Sequence, residues 1–363
     1  MTLKRVTLMA VIIQMAFFAN GQSDSKQRDS TKNISFTTFP ILYYLPETGL
    51  GYGALGVSTF RFKYEQKTSR PSSVQLAVSL TSKKQFLLFA PYELYWSGEK
   101  WRLVGELGYY QYFYNFYGVG TRAPVEDMET YEVNFPRLRM SLLREVAPSF
   151  SIGLGYAFDN YTQLVIDEGG ILERSDVIGK EGGAVSNLGI VALYDTRDNI
   201  FYPTEGWFLQ LNAFSSASFL GSSFDYRKVE LDARHFQSIG KKNILAFNVF
   251  AGANSSGVPF LDYYYVGSKR TRGFNDRRFQ DKAELSAVME FRFPVAGRFG
   301  AAVFGSSGTV ATDFGRLFSS AYKNSAGLGI RYILNKKEGV RIRVDYGFSS
   351  DGGNLYFTIN EAF

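Results

Sequence analysis

The side chains best placed to do chemistry in this sequence are guanidiniums and carboxylates. The stretch Lys269-Arg270-Thr271-Arg272-Gly273-Phe274 sits between two strand-like runs, 243–252 and 283–293. A guanidinium offers a rigid fork of N–H donors that holds a carboxylate by two charge-assisted hydrogen bonds. Gly273 lets the tip turn with positive φ, and Phe274 supplies an apolar anchor beside the charge. Such a tip either docks on an acidic partner or remains a solvated loop charge.

Other chemistry is sparse. His235 is the only histidine and there is no cysteine. Ser–His hydrolysis needs a histidine that can take and return a proton. The parity of His235 matches Val229, Leu231 and Ala233, which puts it on an apolar face close to a strand end, where an interfacial aromatic role fits better than catalysis. One histidine and no thiol leave the usual zinc sites unavailable. Asp195, Asp198, Asp159 and Asn160 read as turn or strand-end residues, and no phosphate-cradling glycine loop stands out. No enzymatic activity, cofactor or metal is therefore expected. The net charge of +6 is spread over turns and alternate strand positions. A nucleic-acid partner is not expected from that distribution.

These residues must be positioned by strands. Lys4 and Arg5 precede a short apolar run, and Ala19-Asn20-Gly21 supplies small residues, so residues 1–21 read as a secretory signal cleaved near Gln22. Residues 22–36 are polar and lack periodicity, which predicts a disordered tether. From Thr37 to Phe363 the period is two. Val340, Ile342, Val344, Tyr346 and Phe348 alternate with Arg341, Arg343, Asp345 and Gly347, giving one apolar and one charged face. About sixteen such segments follow one another, and an even number closes an antiparallel barrel without edges. The long connections, near 114–130, 161–184, 254–282 and 312–325, all fall on one side when the turns are numbered alternately. Aromatic residues make up 17% of the chain, and a slightly negative mean hydropathy suits a membrane barrel, in which only alternate residues face lipid. The fold class is all-β: a transmembrane antiparallel barrel in the bacterial outer membrane, in contact with its lipid.

The Arg-Gly-aromatic tip, the turn Tyr194-Asp195-Thr196-Arg197-Asp198-Asn199 with Pro203-Thr204-Glu205-Gly206-Trp207, and the opening Phe39-Pro40 to Pro46-Glu47-Thr48-Gly49 together resemble the outer-membrane assembly and translocation superfamily. They match its short, surface-antigen-like members of BamA/TamA type. Phe116-Tyr117-Gly118-Val119-Gly120 and 325–332 fit the same group. The resemblance implies that the loop carrying Arg272, Gly273 and Phe274 tucks into the lumen and that Arg272 pairs with Glu290. It departs at a second acidic position, where Ser306 stands in place of the usual Asp; Asp313 and Asp345 are the candidate substitutes. Tyr356, Phe357, Ile359 and the terminal aromatic Phe363 resemble the recognition signal of such barrels. Glu361 departs from that pattern and is expected at the membrane interface, where it can stay wet.

The resemblance also implies a function: insertion or translocation of protein or lipid at the outer membrane, through a weak seam between the first and last strands. The tether is too short for the periplasmic domains common in the family, so a separate periplasmic or outer-membrane protein partner is expected. A passive pore or structural barrel is the alternative.

Overall fold

A computed structural model describes residues 34–363 apart from 67, 68, 268 and 336–339. The expected signal segment and its cleavage near Gln22 lie outside the described residues. Residues Phe36–Phe363 form one compact unit. Its strands are β1 (Ile34–Leu45), β2 (Gly49–Phe60), β3 (Ser72–Thr81), β4 (Phe86–Trp96), β5 (Trp101–Phe116), β6 (Glu129–Ala147), β7 (Phe150–Val165) and β8 (Gly183–Asp195). They continue with β9 (Gly206–Ser216), β10 (Tyr226–Ile239), β11 (Asn243–Asn254), β14 (Ala283–Ala296), β15 (Phe299–Ala311), β16 (Lys323–Asn335), β17 (Val340–Ser349) and β18 (Gly352–Ile359). Two short strands, β12 (Tyr264–Val266) and β13 (Phe279–Asp281), pair with each other inside the long connection from β11 to β14. β1 begins within the stretch assigned to the tether.

The sixteen long strands close into an antiparallel barrel in which each pairs with its sequence neighbour, β11 pairs with β14, and β18 returns to β1. Period two decides which side chains face which way. On β17, Arg343 and Asp345 are buried while Tyr346 and Phe348 are exposed. On β14, Glu284, Ser286, Val288, Glu290 and Arg292 are buried while Met289 is exposed. The outward face is apolar and the inward face carries charge, as the alternation predicts.

The three longest connections, 117–128, 166–182 and 255–282, lie at one end together with 217–225 and 312–322, and the other end has tight reversals such as 148–149 and 297–298 alongside the longer 61–71 and 196–205. The end with long loops has its own apolar core, in which Phe260, Leu261 and Val258 pack against Phe116, Tyr131, Phe135 and Tyr161 of β5 to β7.

Candidate functional site

The connection 255–282 leaves β11, is held by the aromatic core just described, and reaches the inner faces of β14 to β18. Thr271 fastens its bend, donating to the Gly267 carbonyl at 3.0 Å and accepting from the Gly267 N–H at 2.5 Å. At the tip Gly273 has φ +118°, a conformation that a side chain strains. Its backbone lies against β17 where that strand has Gly347; a Cβ at position 347 would sit 2.7 Å from the Arg272 carbonyl carbon. The Gly273 N–H donates to the Tyr356 hydroxyl at 2.9 Å, and its carbonyl accepts from Ser349 and Asn354. Phe274 packs with Val266, Phe279 and Val310.

Arg272 is thereby delivered into a buried ionic cluster. Its side chain is fully buried, and so are those of its two acidic partners. One Nη donates to Glu290 at 2.6 Å and the other to Asp345. The guanidinium carbon also lies 3.5 Å from the centre of the Phe304 ring. Glu290 is shared with Arg292 at 2.8 Å and Arg331 at 3.1 Å. Asp345 is shared with Arg331 and with Arg343, the latter at 3.3 Å. The register explains the convergence. Glu290 faces Phe304 across β14 and β15, while Arg331 faces Arg343, and Gly329 faces Asp345, across β16 and β17. Four neighbouring strands thus present one patch of the inner wall to one loop.

The structure brings together Arg272, Gly273, Phe274, Glu290 and Asp345. It does not bring Asp313, which is exposed near the end of β15 and pairs with Arg316 at 3.2 Å. Ser306, where the resemblance led an acidic residue to be expected, shares a hydrogen bond with Ser325 at 2.6 Å. Arg331, Arg292 and Arg343 were missed as members of the cluster. Their inward parity was visible in the sequence, but their common neighbourhood is set by register.

Glu361 corrects the sequence reading. Its side chain is 2% exposed and accepts from Arg331 Nε at 2.9 Å, with Arg292 at 3.7 Å. The expectation of a wet interfacial carboxylate assumed an unbroken strand. β18 ends at Ile359, and Asn360 has φ +66°, which breaks the period of two and turns the following side chains inward. The four C-terminal signal residues divide accordingly. Ile359 faces outward, Phe357 partners Tyr44 of β1, and Tyr356 is buried beneath the loop. Phe363 lies off the strand, packed on Phe236. His235 stacks on the exposed Trp207 with ring centres 4.0 Å apart, on the outward side.

A closed sixteen-stranded barrel, apolar outside and holding arginine–carboxylate pairs within, defines a transmembrane barrel of the bacterial outer membrane. The family model for the Omp85 superfamily domain matches residues 69–363, and the chain belongs to that superfamily. Its fold is similar to that of BamA from Haemophilus ducreyi lacking POTRA domains 1–3, with 16% identity, a TM-score of 0.61, and coverage of 90% of this chain and 70% of that one. It is also similar to CdiB from Acinetobacter baumannii, with 14% identity, a TM-score of 0.59, and coverage of 91% and 60%. CdiB from Escherichia coli matches at 10% identity and a TM-score of 0.59, covering 90% and 62%. This chain thus spans less than two thirds of the length of either CdiB. A comparison with curated protein sequences found no match.

Proposed function

We propose that this barrel inserts or translocates a protein or lipid substrate at the outer membrane through a seam between β1 and β18. In this reading the loop tip plugs the lumen, Arg272 is its lock, and a separate periplasmic or outer-membrane protein supplies the substrate. The observation that carries the reading is the seam. Among the described residues, β1 and β18 share a single partner pair, Tyr44 with Phe357. By contrast β17 and β18 pair from Ile342–Ile359 to Ser349–Gly352. A strand edge with unpaired N–H and C=O groups is a template for another strand. Phe36 and Phe39 on β1 are exposed beside that edge. Family membership and the likeness to BamA and CdiB agree with this reading.

The seam pair is also the place to test it. The chain has no cysteine, so Tyr44→Cys/Phe357→Cys introduces one defined crosslink across the closure. In proteoliposomes, the oxidised variant is expected to slow insertion of a denatured outer-membrane barrel, and reductant is expected to restore it. Equal rates with and without reductant would overturn the seam reading. A steady ion conductance with no insertion in either state would favour a passive pore.

A further inference from the structure

Beyond the seam, the residues after β18 lie against the inner wall. Segment Asn360–Phe363 is not held as a strand. Its last backbone bond to the sheet among the described residues is the Asn360 N–H to the Arg341 carbonyl at 2.8 Å. Past that point side chains hold it. Glu361 lies between the Arg331 and Arg292 guanidiniums at 2.9 and 3.7 Å. Arg292 Nη2 donates to the Phe363 main-chain oxygen at 3.4 Å, and its guanidinium carbon lies 5.4 Å from the centre of the Phe363 ring. That ring packs on Phe236, 6.3 Å centre to centre, with Ala362, Ala246 and Val288 completing the apolar patch.

We infer that Arg292, Arg331 and Phe236 form a binding site for a peptide segment with a carboxylate and an aromatic ring two residues apart, and that Glu361-Ala362-Phe363 is its resident ligand. Three features argue for recognition rather than incidental packing. The arginines, at 1% exposure each, belong to the wall and are fixed by Glu290, so the site remains when the segment leaves. The forked donors suit a carboxylate, and the apolar patch beside them suits a ring. Arg292 Nη1 and Glu361 Oε1 are buried without a partner, so the resident does not saturate the site. A segment held by side chains alone can exchange with another of the same pattern without breaking the barrel ladder.

The probe is a fluorescent peptide with the sequence of residues 358–363, Thr-Ile-Asn-Glu-Ala-Phe. The full chain carrying Glu361→Ala/Phe363→Ala releases its resident segment. It is expected to bind the peptide at least about tenfold more tightly than the native chain does. Peptides with Glu→Gln or Phe→Ala at the matching positions are expected to lose that gain. A heat-modifiable variant that binds no better than the native chain would overturn the assignment, as would equal binding of all three peptides. Should the double variant not form a heat-modifiable barrel, Ala362→Cys decides. Ala362 is 3% exposed, so maleimide should label it slowly, and excess native peptide should accelerate labelling by displacing the segment. Fast labelling without peptide, or a rate unchanged by peptide, would overturn the assignment.

Discussion

Replacing Arg272 with alanine removes one guanidinium from a cluster whose charges can be counted. Among the side chains, four arginines (272, 292, 331 and 343) face three carboxylates, Glu290, Asp345 and Glu361. The native excess among these side chains is 4 − 3, or one positive charge. Arg272→Ala brings it to zero, and Glu290→Ala raises it to two. Arg272→Ala forfeits two charge-assisted hydrogen bonds, worth roughly 1.5–3 kcal/mol each, and the stack on Phe304. Glu290 and Asp345 both keep other arginines, which offsets part of that loss. A net cost of about 2–4 kcal/mol follows, below the sum of the bonds. Glu290→Ala strips the shared acceptor from three guanidiniums in a buried site, and its cost should reach or exceed the roughly 3–5 kcal/mol typical of breaking a buried pair. A single isolated pair would instead make the two variants equivalent. The assay is the heat-modifiability midpoint on semi-native gels, with protease cleavage near residue 275 reporting loop release. The expected order is native, then Arg272→Ala, then Glu290→Ala, with the double variant well short of additive. Arg272→Ala costing more than Glu290→Ala would refute the charge count. Native behaviour of both variants would refute the lock.

A steric version of the same release comes from Gly347→Ala. The new Cβ would sit within 2.8 Å of the Arg272 and Gly273 backbones, so loop cleavage should rise with no charge altered; cleavage at the native rate would contradict the close packing. A pH dependence is expected where the loop meets the β1–β2 turn. The Glu47 carboxyl is pushed up to about 8, first by burial and then by Asp276, whose own carboxyl burial also raises. A raised carboxyl pKa favours the folded contact below the free value of 4.5, and that contribution is lost as pH rises through about 8. Labelling of Asn275→Cys should therefore accelerate between about pH 4.5 and pH 8 and level off above that, and Glu47→Gln should flatten the profile. For topology, Asp167→Cys and Lys100→Cys lie at opposite ends of the barrel. The first should label from outside intact cells and the second should not; the reverse pattern would invert the orientation.

The barrel was legible because a strand writes its two faces into alternate residues. Val340–Phe348 needs no partner to declare which side is wet, and counting such runs gave sixteen. Loop positions were legible for the same reason: each turn is bounded by the runs it joins, so the longest connections could be placed at one end. The cluster was legible only in part. Arg272 announced itself through Gly273, a local signal, and its pairing with Glu290 came by resemblance. Asp345 could not be chosen over Asp313 from sequence, because the choice depends on how β14 to β17 align across the sheet. A shift of one residue in any of those registers would flip a strand's inward set outward.

Glu361 shows a different limit. Parity reasoning carries a side chain's direction along a strand only while each residue stays extended, and one left-handed residue resets it. Asn is among the few non-glycine residues that tolerate that conformation, so Asn360 was the one readable hint of a break in the last strand. The consequence reaches past a single misplaced carboxylate. Once Glu361 turns inward it meets Arg331 and Arg292, which also hold Glu290, and Glu290 holds Arg272. The strand that closes the barrel and the loop that carries Arg272 thus draw on the same guanidiniums. Glu361→Gln should therefore lower the heat-modifiability midpoint by less than Glu290→Ala and also speed loop cleavage, although residue 361 does not touch the loop. If Glu361→Gln left loop cleavage at the native rate while freeing the segment for labelling at position 362, the strand end and the plug would be independent neighbours on one wall.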